Sequence, residues 1–172
     1  METSTQGWMV DKSNDNNQNT LLKNIEYKSN IGNRALEINF NNLTKGINSE
    51  LHVNTFFPEE FTTLNEQQEM MLMVYSFVGC PIIYSGQNII TEIISKTKKD
   101  IKVKLFIKYY GEGDKLSKIN SAEYILSEHE TETLEWNVPD TFSNPIAQIG
   151  ISISSDEQVS GKALMNYLHI SG

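Results

Sequence analysis

The side chains that carry most enzyme chemistry are sparse in this sequence and poorly spaced for it. His52, His129 and His169 are far apart, and none stands at a metal-ligand interval from another histidine or a cysteine. Cys80 is the only cysteine; it precedes Pro81 and has no evident activating partner, as expected of an inert packed thiol. No phosphate loop, dinucleotide fingerprint, Cys-x-x-Cys or His-x-x-x-His occurs. Carboxylates are common, but Glu123, Glu128, Glu130, Glu132 and Glu135 read as solvated strand and turn positions. No pair of them stands out for glycoside hydrolysis. The expectation is therefore a domain that is not an enzyme.

Charge narrows the partners. The 172 residues carry a net charge of -8, which argues against nucleic acid, whose phosphates demand a basic surface. Lys96, Lys98, Lys99, Lys102, Lys104, Lys108, Lys115 and Lys118 concentrate in one region. They read as a solvated hairpin face with edge-protecting lysines rather than a polyanion site. No apolar run approaches the ~18 residues of a membrane span, and the N-terminus lacks the charged-then-apolar pattern of a signal peptide. With one cysteine there is no intrachain disulfide, which is neutral on compartment. Mean hydropathy is -0.39, and the length suits one domain with a core that needs no staples.

The elements that must position any site are strands. Residues 101–110 alternate cleanly, with Ile101, Val103, Leu105, Ile107 and Tyr109 on one face and Lys102, Lys104, Phe106, Lys108 and Tyr110 on the other. Similar runs lie at 21–27, 35–40, 51–57, 131–138, 145–155 and 161–172, residues 84–95 enter a further strand, and shorter ones lie near 8–10, 116–119 and 122–126. The apolar run 69–78 reads as a central strand, and the Asn-rich stretch 11–20 as a polar loop. About ten strands punctuated by Gly, Pro, Asp and Ser, with no helix long enough for a crossover, predict an all-β fold: a two-sheet antiparallel β-sandwich over 1–172. Trp8 and Trp136 share faces with apolar neighbours and are expected in the core.

Three segments resemble the jelly-roll, galactose-binding-like carbohydrate-binding modules of bacterial polysaccharide-degrading enzymes. Glu2 followed by Gly7-Trp8 is similar to their opening, and Asn33-Arg-Ala-Leu-Glu-Ile38 to their third strand. Gly161-Lys-Ala-Leu-Met-Asn-Tyr-Leu-His-Ile-Ser-Gly172 resembles their closing strand, with Asn166 where an Asp is usual. A closer echo covers Tyr75-Ser76 and Tyr84-Ser-Gly-Gln87 through Trp136-Asn-Val-Pro-Asp-Thr141 and Pro145-Ile-Ala-Gln-Ile-Gly150 to the C-terminus. It resembles the β-sandwich appended to some bacterial ADP-ribosylglycohydrolase-type proteins. Both comparisons describe an accessory module of a larger protein. The first implies a structural calcium, for which Glu2, Asn33 and Asn166 occupy the matching positions; Asn for Asp removes one charge from that site.

The resemblance also implies where a glycan binds: on an outward sheet face or on the loops at one edge. Aromatic faces stack on sugar C–H patches, and amides, carboxylates and arginine hold hydroxyls. The residues expected to do so are Phe106, Tyr110, Gln148, Tyr167 and His169, taken as one outward face. Met165 alternates with Tyr167 and His169, and Ser152, Ser154 and Gly150 lie beside Gln148. Arg34, the only arginine, is expected in a turn, able to clamp a hydroxyl or carboxylate. Three functions follow for comparison. One is a glycan-binding module tethering a parent catalytic domain. Another is a structural sandwich packed on an ADP-ribosylglycohydrolase-type domain without a ligand of its own. The third, least favoured by the motifs, is an enzyme. Attached to a secreted parent the module would be extracellular or on the cell surface; attached to an ADP-ribosylglycohydrolase-type protein, cytoplasmic.

Overall fold

A computed structural model describes residues 5, 7–11, 20–55 and 83–172. Eleven strands lie among them: β1 (Met9–Val10), β2 (Thr20–Glu26), β3 (Arg34–Leu43), β4 (Ser49–Asn54), β5 (Asn88–Ser95), β6 (Ile101–Tyr110), β7 (Leu116–Asn120), β8 (Tyr124–Leu126), β9 (Thr131–Asn137), β10 (Ile146–Ser154) and β11 (Val159–Ser171). One short 3₁₀ turn, Glu112–Asp114, follows β6. No helix among the described residues is long and apolar enough to cross a membrane. The run 69–78, Cys80 and Glu2 lie outside the described residues.

The strands form two antiparallel sheets. The first has the order β1-β4-β10-β6-β7, with β8 also paired to β6; the second has the order β2-β3-β11-β5-β9. Both close on one core. From the first sheet come Leu51, Val103, Leu105, Ile107, Ile149, Ile151 and Ile153. From the second come Leu36, Ile38, Phe40, Ile89, Ile93, Leu134, Ala163 and Met165. Each is buried, and burying an Ile or Leu side chain stabilises by about 1.5–3 kcal/mol. This is the sandwich that the alternation predicts. Trp8 is buried and Trp136 packs against the core half-buried, as expected.

Two features depart from the sequence reading. The consecutive strands β10 and β11 do not pair: β10 lies between β4 and β6, and β11 between β3 and β5. Alternation along β11 also slips. Met165 faces Ile93 of β5, but Leu168 faces Thr91, so β11 holds one extra residue in a bulge. Before the bulge Ala163 and Met165 point into the core; after it Leu168 and Ile170 pack there. Met165 is thus a core residue rather than a partner of Tyr167 and His169. The Tyr167 carbonyl freed by the bulge accepts a hydrogen bond from Thr91 Oγ1 at 2.5 Å.

Candidate functional site

The outward face of the first sheet is not an ordinary solvated surface. Its centre is the pair Phe106 on β6 and Gly150 on β10, directly opposite each other. The phenyl ring lies flat over the glycine: a Cβ at Gly150 would sit 2.0 Å from Phe106 Cζ. Phe106 is fully buried although it belongs to the outward side of β6. The sequence places it correctly among lysines, but not as an open stacking platform. The missing side chain at Gly150 lets the ring drop onto the sheet.

Lysines close over that ring. Lys118 Nζ lies 4.2 Å from the ring centroid and Lys108 Nζ 5.9 Å, within the range of cation–π attraction. Lys108 and Lys118 stand directly opposite each other across β6 and β7, which alone would be destabilising. Each has a carboxylate from the far side of the sheet. Lys108 Nζ meets Asp11 Oδ2 at 2.5 Å, and Lys118 Nζ meets Glu50 Oε1 at 2.6 Å. The arms therefore span β10 above the space that Gly150 leaves. Asp11 is held in place by its N–H donating to the Glu50 carbonyl at 2.9 Å. Beside them His52 stands opposite Gly150 on β4, and Asn54 opposite Gln148. Gln148 Nε2 donates to Asn54 Oδ1 at 3.1 Å, while its Oε1 is buried with no hydrogen-bond partner. Further along the strands Lys104 and Lys102 both reach Glu123, and Lys102 also reaches Asp156. The side-chain hydrogen bond from Lys102 holds the Asp156 carboxyl below its usual range. Lys102, Lys104, Lys108 and Lys118 on this face are thus each paired with a carboxylate.

The expected site residues separate into two groups. Phe106, Tyr110 and Gln148 share the outward side of the first sheet. Tyr167 and His169 sit on β11 in the second sheet, so the five do not form one face. His169 is exposed and opposite Ile90; Tyr167 is half-buried at the bulge. Arg34 opens β3, also in the second sheet, rather than sitting in a turn. Its Nε donates to Asn24 Oδ1 at 2.7 Å and Nη2 to the Asn24 carbonyl at 3.2 Å. Asp11, Glu50, His52 and Asn54 escaped the sequence reading. The alternation of β4 marks Glu50, His52 and Asn54 as outward, but nothing local says that β4 lies next to β10.

The expected calcium ligands are also dispersed in role. Asn33 is exposed, and its carbonyl accepts the Tyr27 N–H at 2.9 Å. Asn166 Nδ2 donates to Glu92 Oε1, and Asn166 Oδ1 is buried without a hydrogen-bond partner. Among the described residues no group of three or more His, Cys, Asp or Glu could hold a metal.

No family model and no curated protein sequence matches the chain. Solved structures do match its fold. A family-28 carbohydrate-binding module, described as specific for non-crystalline cellulose, superposes with a TM-score of 0.64 at 12% identity, over 99% of this chain and 90% of that one. The first family-22 xylan-binding domain of Paenibacillus barcinonensis xylanase 10C gives 0.60 at 8% identity, over 99% and 88%. A Clostridium thermocellum xylanase 10B chain, a family-22 module joined to its family-10 module and complexed with xylohexaose, gives 0.58 at 15% identity. That match covers 100% of this chain and only 27% of the xylanase chain. The chain has the β-sandwich fold found in these carbohydrate-binding modules.

Proposed function

We propose that this chain is a non-catalytic carbohydrate-binding module that holds a neutral glycan and raises its local concentration for a tethered parent enzyme. The observation that carries the reading is the whole-length match of its sandwich to modules described as binding xylan and non-crystalline cellulose. The outward face of the first sheet supports it. Gln148 Oε1 is an unsatisfied buried acceptor, and a rotation of its side chain that brought this oxygen to a sugar hydroxyl would offset its desolvation. The parent is proposed to be a secreted glycoside hydrolase, which makes the module extracellular.

Affinity electrophoresis in gels containing soluble xylan or hydroxyethylcellulose tests this. Retardation by at least one of them is expected. Gln148→Ala and Tyr110→Ala should each weaken it about tenfold, or ~1.4 kcal/mol, while Tyr167→Ala on the second sheet leaves it unchanged. The reverse pattern would move the site to the second sheet. No retardation by either polymer would sink the carbohydrate reading.

A structural calcium belongs to the same proposal: of the set Glu2, Asn33 and Asn166 that the resemblance implies, Asn166 Oδ1 is the buried oxygen without a hydrogen-bond partner. Anything that binds the folded state alone raises its melting temperature. The midpoint should be higher in millimolar calcium than in chelator, and less so in Asn166→Ala. Equal midpoints would remove calcium from the account.

A further inference from the structure

Tyr84 and Phe142 are the two exposed aromatic side chains among the described residues, at 64% and 81% exposure. They stand on two neighbouring loops tied to each other at one end of the sandwich. Gly86 N–H donates to the Val138 carbonyl and Val138 N–H to the Gln87 carbonyl, both at 2.8 Å. Asn137 Nδ2 donates to the Gly86 carbonyl at 2.9 Å, and Thr141 N–H to Ser85 Oγ at 3.2 Å. The loop that carries Phe142 then enters β10 through Pro145, whose carbonyl accepts the Tyr110 N–H at 3.0 Å. The pair therefore adjoins the Tyr110 end of the first sheet's outward face.

Both loops are closed by hydrogen bonds. Tyr84 opens a turn with Gly86 at φ 89 and a Gln87 N–H to Tyr84 carbonyl bond of 3.2 Å, the pattern of a type II turn. Gln87 Oε1 accepts the Tyr84 N–H at 2.8 Å. Phe142 and Ser143 are the central residues of a second turn, closed by Asn144 N–H donating to the Thr141 carbonyl at 3.0 Å. Both have positive φ, 54 and 63. Such turns favour Asn, Asp and Gly, and positive φ is strained for a bulky aromatic. Asp140 Oδ1 accepting the Phe142 N–H at 2.8 Å and Thr141 Oγ1 donating to the Asn144 carbonyl at 2.8 Å hold the strain in place. Burial gives nothing back, because the ring points to solvent. Strain of this kind, retained without a packing return, marks functional positions.

We infer that Tyr84 and Phe142 form an aromatic platform for a pyranose unit of a neutral glycan, beside the sheet face and distinct from it. The inference rests on the carbohydrate-binding reading. The ligand class follows from the lining: residues 83–88 and 137–145 contain a carboxylate, Asp140, several hydroxyls and amides, and no Lys, Arg or His. Hydroxyl donors are matched there, and an acidic sugar is repelled.

Isothermal titration of the protein with xylohexaose and cellohexaose tests the platform. Tyr84→Ala and Phe142→Gly should each weaken binding of the preferred oligosaccharide about tenfold, and Phe142→Trp should retain it. Glycine accepts positive φ, so Phe142→Gly removes the ring and leaves the turn, and its melting temperature should not fall. Unchanged affinity in both ring-deleting variants, with Gln148→Ala weakened, would overturn the platform and leave the sheet-face reading standing. No binding of either oligosaccharide by the parent protein, with no retardation in the polymer gels, would overturn both.

Discussion

Phe106→Ala is expected to destabilise the protein by about 3–5 kcal/mol, the usual range for truncating a fully buried phenylalanine. The ring is on the nominally solvent side of β6, where a truncation would ordinarily be worth little. Here it is fully buried between Gly150 and the Lys108 and Lys118 arms. The companion change, Gly150→Ala, drives a methyl to 2.0 Å from Phe106 Cζ and 2.4 Å from Cε1. A buried ring cannot swing clear, so overpacking should cost about 3 kcal/mol. The two effects share one cause, and the double variant exposes it. Without the ring, the alanine methyl meets no clash and partly refills the gap. The double variant should therefore be about 2 kcal/mol or more better than the sum of the single changes. Urea unfolding of the four proteins measures this, and strict additivity would show that the ring does not rest on Gly150.

Lys108→Ala should be the next largest loss, about 3 kcal/mol, because its partner Asp11 is only 3% exposed. Removing one member of a buried ion pair takes a hydrogen-bonded counter-charge from the other in a poorly solvated place. Two comparisons separate this from lost packing. Lys108→Met keeps most of the stem and should lose nearly as much as alanine, whereas Asp11→Asn combined with Lys108→Met should recover part of the loss. Lys99→Ala, which breaks the exposed Lys99–Glu157 pair, should change stability by no more than about 1 kcal/mol, less in high salt. Chemical denaturation in low and high salt reads all four. Equal, small effects at Lys108 and Lys99 would mean that the Asp11 pair is solvated like any surface bridge.

Most of the fold was legible because a half-buried strand writes its own pattern. Residues 101–110 alternate so cleanly that β6 falls where the sequence puts it, with the same residues inward. The site was legible only in part. Alternation puts Gln148, Tyr110 and Phe106 on an outward face, and they share one. Consecutive strands usually neighbour each other, which would add Tyr167 and His169 to that face; here the chain crosses to the other sheet between β10 and β11. The slip at Asn166 and Tyr167 was hidden too, since a one-residue bulge reverses every later side chain without changing composition. Phe142 carries a local signal: an aromatic amid Asp140, Thr141, Ser143 and Asn144, where turn residues are expected.

By itself the sequence determined the class of fold, its strand positions and which residues of each strand face inward up to the bulge. It also determined the absence of recognisable catalytic spacing. These are properties of near neighbours along the chain, where a period of two and the turn residues act over a few positions. Only the tertiary structure decided that Gly150 seats Phe106, that Asp11 and Glu50 reach Lys108 and Lys118 over it, and that two loops about fifty residues apart stand side by side with an exposed aromatic on each. Those contacts depend on which strands become neighbours across the sheets, and strand order is set by packing of the whole sandwich rather than by any local pattern.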